Sequence, residues 1–180
     1  MPRHPLPGSW PCASDGPAVL HRSRGCPPAG GPEAHSGPVP LPFDSTLDQP
    51  LATDVEIEQR VALLIGAAAR RQFWFLFLDE RMVQLPLVVP VHDVPHRPYA
   101  APAGLAATLA SVLRAEGASA VVTVLERVGP DRPTAADREW AAAIHLACAR
   151  ERVPVRAVLI SHPLGVIPLP LEDYRFGQPG

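Results

Sequence analysis

Residues 73–78 read FWFLFL, a continuous run of aromatic and aliphatic side chains without a polar residue. A run of this length that lacks alternation is typical of a strand buried on both faces, as in a sheet covered by helices on each side. The polar triplet 79–81 (Asp-Glu-Arg) follows as a turn, and residues 82–91 form a second apolar strand. Pro86 and Pro90 cannot donate to a strand ladder, so we expect this second strand at an edge of the sheet.

Two helices, one before and one after these strands, begin with the sequence signature of a capping box. Thr53 is followed three residues later by Glu56, and Thr134 is followed at the same spacing by Asp137. In such a box the hydroxyl accepts a hydrogen bond from the third helical amide, and the acid accepts one from the amide of the cap residue. This local explanation of the four residues as structural caps is complete without any function.

The remaining elements follow from the spacing of apolar residues, which is helical in some segments and strand-like in others. The expected helices cover about 53–71, 102–116 and 135–151, and the further strands cover about 118–125, 155–161 and 166–169. Arg70 and Arg71 would then lie in the last turn of the first helix, where cations meet the negative end of the helix dipole. The order α-β-β-α-β-α-β-β predicts an α/β sandwich of two or three layers with a mixed sheet.

The first 48 residues differ in composition from the rest. Residues 1–50 hold 12 of the 24 prolines and six of the 13 glycines, with almost no periodic apolar pattern. Such a segment cannot bury enough surface to offset its loss of chain entropy, so we predict a disordered arm over 1–48 and a single α/β domain over 49–180. Two alternatives stay open: a docking arm built on a polyproline II stretch at 38–42, and a start codon assigned too far upstream.

Composition excludes several classes of enzyme. All 16 basic residues are Arg, and the chain contains no Lys and no Asn. P-loop, kinase and Schiff-base lysines are therefore excluded, as are mechanisms that need a catalytic Asn. The same bias, beside abundant Ala, Pro, Gly and Arg, indicates a GC-rich genome and hence a high-GC bacterium.

Charge and hydropathy point away from nucleic acids and membranes. The net charge is −2, and the tightest basic group is Arg70-Arg71, whereas nucleic-acid binding needs clustered cations. No stretch approaches the roughly 18 apolar residues of a membrane span, and the first residues lack the apolar core of a signal peptide. The three cysteines, Cys12, Cys26 and Cys148, are too scattered for a disulfide framework. We therefore expect a cytoplasmic protein.

Two groups of residues have the chemistry of a metal or nucleophilic site. His92, Asp93 and His96 form the densest cluster of candidate metal ligands, in a proline-containing loop that is otherwise simply polar and exposed. His145 and Cys148 lie three residues apart on one helix. The helical angle puts Cys148 in the apolar face and His145 at its edge, which favours a structural cysteine and a boundary histidine.

The stretch from Thr53 to about Leu169 resembles the JAB-type metalloprotease fold, in the version found in bacterial RadC-type proteins. The resemblance is carried by the layout and by three short stretches, LFLD at 76–79, ASAVV at 118–122 and DRPTAAD at 131–137. It implies a zinc site in which two histidines of an H-x-H motif and the aspartate of S-x-x-D bind the metal, and an upstream glutamate acts on the bound water. Small uncharacterised proteins of high-GC Gram-positive bacteria show a similar layout.

This chain departs from that pattern at the metal ligands. The H-x-H positions fall on Leu125 and Arg127, or on Val124 and Glu126, and the upstream acid falls near residues 71–72 (Arg-Gln). Asp137 remains, with Thr134 in place of the serine. We therefore expect Glu126, Arg127 and Asp137 to form a salt-bridged loop, because a guanidinium competes with a cation for the same oxygens.

Three functional hypotheses follow. The leading one is a non-catalytic α/β domain without cofactor or metal that acts by binding an unknown protein partner. The second is a metal-dependent hydrolase with a relocated site at His92, Asp93 and His96. The third is a metal-free enzyme that uses Asp137 or Glu126, although the sequence supplies no nucleophile beside them.

Overall fold

A computed structural model describes residues 48–98 and 102–175. Its helices are α1 (Asp54–Ile65), α2 (Pro102–Glu116), α3 (Ala135–Arg150) and α4 (Leu171–Arg175). Its strands are β1 (Gln72–Leu78), β2 (Gln84–Val91), β3 (Ala120–Glu126), β4 (Val155–His162) and β5 (Gly165–Pro168). Apart from Asp48, the arm for which we predict disorder lies outside the described residues.

The strands form one mixed sheet in the order β2-β1-β3-β4-β5. β1 runs antiparallel to both β2 and β3, β3 runs parallel to β4, and β4 and β5 form an antiparallel hairpin. β2 lies at one edge, with Pro86 and Pro90 exposed, as their missing amide protons require. The predicted α/β class with a mixed sheet is confirmed.

Helices cover both faces of the sheet, so the sandwich has three layers. The odd-numbered aromatic residues of β1, such as Phe75, pack on one face with Leu109 of α2 and Trp140 of α3. The even-numbered Leu76 and Leu78 pack on the other face with Ile57 and Val61 of α1. This two-sided burial explains why β1 has no polar alternation. Burial of each large side chain stabilises the fold by about 1.5–3 kcal/mol, more than a typical cap contributes.

The first helix is shorter than the apolar spacing predicts. It ends at Ile65, and Gly66 follows with a φ of 69°, a conformation that glycine adopts at little cost. The amides of Ala69 and Arg70 donate to the carboxylate of Glu126 instead of to helix carbonyls. The expected placement of Arg70 and Arg71 in the last helical turn is therefore wrong, since both lie in the segment that leads to β1.

β3 ends one residue later than predicted, and the described residues include one helix that the sequence did not predict. Glu126 is the last residue of β3 and is 4% exposed, although the apolar pattern predicts that this strand ends at Leu125. α4 is an additional one-turn helix after Pro170, too short to show a helical repeat.

Among the helices of 48–98 and 102–175, none combines the length and the apolar character needed to cross a bilayer.

Both capping boxes are present. The Thr53 hydroxyl accepts a hydrogen bond from the amide of Glu56, whose carboxylate accepts one from the Thr53 amide. Thr134 and Asp137 make the same pair of contacts at the start of α3. The Thr134 box is partly buried, whereas the Thr53 box is exposed to solvent.

We predict that Thr134→Ala lowers the free energy of unfolding by about 0.5–2 kcal/mol, because an amide at the start of α3 loses its acceptor. Thr53→Ala is expected to cost less, since water replaces the lost hydroxyl there. Urea unfolding of both variants measures the difference. Thr108→Ala, which removes an exposed hydroxyl within α2, is the control and should change little. A Thr134→Ala variant as stable as the parent would contradict this role.

Candidate functional site

The end of β3 and the start of α3 meet through the side chains of Arg127 and Asp137. β3 is the central strand, and its pairing with β4 continues one residue further through the Arg127 amide, which donates to Ser161 O at 2.9 Å. The backbone of Arg127 is thus fixed by the sheet. Thr134 and Asp137 approach from the first turn of α3.

Arg127 and Asp137 form a buried ion pair. Arg127 Nε donates to Asp137 Oδ2 at 2.9 Å, and the two side chains are only 4% and 0% exposed. The other two guanidinium nitrogens donate to the carbonyls of Pro130 and Arg132, at 2.7 and 2.9 Å. One side chain therefore neutralises Asp137 and fixes the loop that leads to α3.

Gly129 lets this loop pass over the guanidinium. Its φ is 140°, and a Cβ atom there would lie 3.4 Å from Arg127 Nη1. A larger residue would be strained in its backbone and would crowd the cation.

Asp137 has two structural tasks, and one of its oxygens performs both. Its Oδ2 atom accepts hydrogen bonds from Arg127 Nε and from the Thr134 amide, so the same oxygen closes the ion pair and caps α3. Its Oδ1 atom is buried and has no hydrogen-bond partner among the described residues. Asp137 is a poor zinc ligand because the guanidinium bound to the same carboxylate repels a metal cation.

Glu126 does not join the ion pair between Arg127 and Asp137. The prediction of a salt-bridged loop of three residues is therefore wrong for Glu126. Its Oε1 atom accepts from the amides of Ala69 and Arg70, at 2.8 and 3.2 Å. Its Oε2 atom accepts from Gln72 Nε2 and, at 2.8 Å, from Trp74 Nε1. The carboxylate is held by four neutral donors.

These contacts change the pKa of Glu126. Burial alone would raise it, but the hydrogen bonds from Gln72, Ala69, Trp74 and Arg70 outweigh burial and hold the pKa of this carboxyl below its usual range. A group with a lowered pKa is a weak base at neutral pH. Glu126 therefore anchors the segment before β1 and is unsuited to proton abstraction.

The sequence pattern did not predict Gln72 and Trp74 as partners of Glu126. The available signal was their spacing, since two side-chain donors at positions i and i+2 of a strand lie on one face. In the sheet Gln72 is directly opposite Glu126, and Trp74 is opposite Val124. That register depends on strand pairing, which a single sequence does not specify.

Besides Glu126 and Arg127, the positions aligned with the histidine motif hold two core residues, Leu125 and Val124. Leu125 packs in the cluster between the sheet and the helices α2 and α3. Val124 packs on the opposite face, with α1. The residues of this chain do not fit the zinc that the resemblance implies.

His92, Asp93 and His96 are all exposed. His92 Nδ1 lies 2.6 Å from Gln72 Oε1, and the His96 carbonyl accepts from Arg71 Nη2 at 3.1 Å. Asp93 has a φ of 56°. Over 48–98 and 102–175, no three His, Cys, Asp or Glu residues lie close enough together to hold a metal ion.

The surroundings of His145 and Cys148 on α3 indicate a structural role for both residues. Cys148 is buried in the core beside Ile144, and burial raises the pKa of its thiol to about 11. His145 is half-buried and its ring meets that of Tyr174 edge-on, with centroids 5.9 Å apart. A thiol that stays protonated at neutral pH is not a nucleophile.

A pocket of about 310 Å³ opens beside the ion pair. Four of its lining side chains are cationic or titratable, namely Arg70, Arg71, His96 and Arg127. The others are Val128, Pro130 and Thr134. We call this cavity the basic pocket; neither His92 nor Asp137 lines it.

Arg71 is held in place at the edge of the basic pocket. Its Nε and Nη2 atoms donate to the carbonyls of Pro95 and His96, and Trp140 Nε1 donates to the same Pro95 carbonyl at 3.0 Å. Burial lowers the pKa of Arg71, Asp137 raises it and Arg127 lowers it further, which places the three charges within electrostatic reach of one another.

Comparison with models of known protein families and with curated protein sequences finds no match to this chain.

We predict that Glu126 makes stability depend on pH. A carboxyl whose folded-state pKa is lowered contributes stability above its unfolded pKa of about 4.3 and loses it as pH falls through the folded pKa. Urea unfolding between neutral and acidic pH should therefore show a smaller loss of stability in Glu126→Gln than in the parent. Glu116→Gln, at an exposed position in α2, is the control and should follow the parent. Parallel curves for the parent and Glu126→Gln would contradict this role.

Proposed function

We propose that the α/β domain of this chain is a non-catalytic binding module with a JAB-like layout, in which an ion pair replaces the metal site. The observation that carries the proposal is the buried contact between Arg127 and Asp137. In one alignment with the JAB-type pattern Arg127 takes the position of a metal-binding histidine, and its guanidinium repels any cation that approaches the Asp137 oxygens.

The surrounding residues support a binding role more than a catalytic one. A catalytic zinc needs about three protein ligands and an open position for water. Here Leu125 and Val124 are core residues, and Asp137 is committed to Arg127 and to the helix cap. No ligand set forms at this place among the described residues.

Metal-free acid–base chemistry is also disfavoured by the contacts. Glu126 accepts four hydrogen bonds and has a lowered pKa, and Asp137 is paired with Arg127. Cys148 is buried away from both carboxylates in the core between the sheet and α3. Neither carboxylate is thus a base poised near neutral pH, and the buried thiol is not an activated nucleophile beside one.

A cytoplasmic location is part of the proposal. Cys148 is a free, buried thiol, which suits a reducing compartment. The partner is proposed to be a protein or a small ligand, rather than nucleic acid or membrane, since the net charge is −2.

We predict that the purified protein retains no stoichiometric zinc after dialysis against micromolar zinc and then against metal-free buffer, and that it cleaves neither peptide nor isopeptide substrates. Elemental analysis measures the first result, and a fluorogenic cleavage assay measures the second. About one zinc per chain, lost in His92→Ala or His96→Ala, would overturn the proposal in favour of a relocated metal site. The matched control is His145→Ala, which changes a histidine of α3 whose ring contacts Tyr174.

A further inference from the structure

The basic pocket carries positive charge that the protein itself does not balance. Three guanidinium groups line it, and no carboxylate does. Arg127 is neutralised by Asp137, and Glu126 lies behind the pocket, against the backbone of Ala69 and Arg70. The three arginines carry three positive charges, and the two carboxylates carry two negative charges. Without His96, the site therefore has one unit of net positive charge.

Two of the arginines have donors to offer a ligand. Arg71 uses Nε and Nη2 for backbone carbonyls, which orients its guanidinium and leaves Nη1 available. Arg70 is exposed, and its guanidinium has no ion-pair partner among the described residues. Paired guanidinium donors are well suited to the two oxygens of a carboxylate.

The start of α3 adds to the preference for an anion. The Thr134 hydroxyl accepts from the Asp137 amide and retains its own proton for donation to a ligand oxygen. The positive end of the dipole of this 16-residue helix lies at the same place.

The pocket also has an apolar side and room for more than an ion. Val128 is 63% exposed and, with Pro130, forms part of the wall. A volume of about 310 Å³ lies at the lower end of the range of small-ligand sites. A bare inorganic anion would leave the apolar wall without a contact.

We propose that the basic pocket binds a carboxylate that carries a small apolar group, supplied either by the carboxy-terminal residue of a peptide or by a small organic acid. This inference rests on the proposed binding function and specifies its ligand. One unit of charge matches a monocarboxylate better than a phosphate dianion. The carboxylate lies between Arg70 and Arg71 and accepts from Thr134, while the apolar group contacts Val128 and Pro130.

Titration of the full-length protein, followed by NMR amide shifts, tests the proposal with three probes. They are N-acetyl-valyl-leucine, the same dipeptide as its carboxamide, and hexanoate. We expect the carboxylate probes to shift amides in 66–71 and 126–134, and the carboxamide to bind at least tenfold more weakly than its acid. Tighter binding of the dipeptide than of hexanoate supports a peptide terminus as the source, and the reverse supports a small acid.

Matched variants locate the site. Arg70→Ala is expected to weaken binding at least tenfold without a change in the unfolding midpoint, because its side chain bonds to nothing else described. Arg81→Ala, which removes an exposed arginine from the β1–β2 turn, should bind like the parent. Equal binding of acid and carboxamide, equal effects of the two variants, or tighter binding of inorganic phosphate would overturn the inference. If the protein is also free of zinc and inactive, any of these three results overturns the carboxylate site alone and not the proposed non-catalytic function. Retained zinc, by contrast, would overturn the non-catalytic function itself.

Discussion

The ion pair between Arg127 and Asp137 is the interaction on which the rest of the site depends. Both groups lose their water on burial, so their mutual attraction and further hydrogen bonds must offset a desolvation cost of several kcal/mol per ion. Asp137 meets this requirement by also capping α3, and Arg127 by also binding two loop carbonyls. The end of the central strand, the loop after it and the next helix are thereby fixed to one another.

A guanidinium at this position has consequences that a metal ion would not have. It supplies positive charge without an open coordination position, so it can orient a bound anion but cannot activate water. Arg70 and Arg71 add cations on the pocket side, and the carboxylate of Glu126 holds the segment that presents them.

The sequence was sufficient for the features that depend on local pattern. The apolar run 73–78 predicts a doubly covered strand, the prolines of β2 predict a sheet edge, and the two threonines mark helix starts. The sequence was insufficient where a feature depends on contacts between residues that are far apart along the chain. The first helix ends early because Gly66 turns the chain and the following amides bind Glu126, 56 and 57 residues further along. Gln72 and Trp74 meet that carboxylate only through strand register.

A double-mutant cycle on Arg127 and Asp137 tests the central claim most directly. Arg127→Met removes the charge and keeps an apolar side chain, and Asp137→Asn keeps an oxygen for the Thr134 amide. We predict that each single variant loses about 3–5 kcal/mol of unfolding free energy, because a buried charge is left unpaired, and that the double variant loses much less than the sum. Additive losses, with a coupling energy below about 0.5 kcal/mol, would contradict the account.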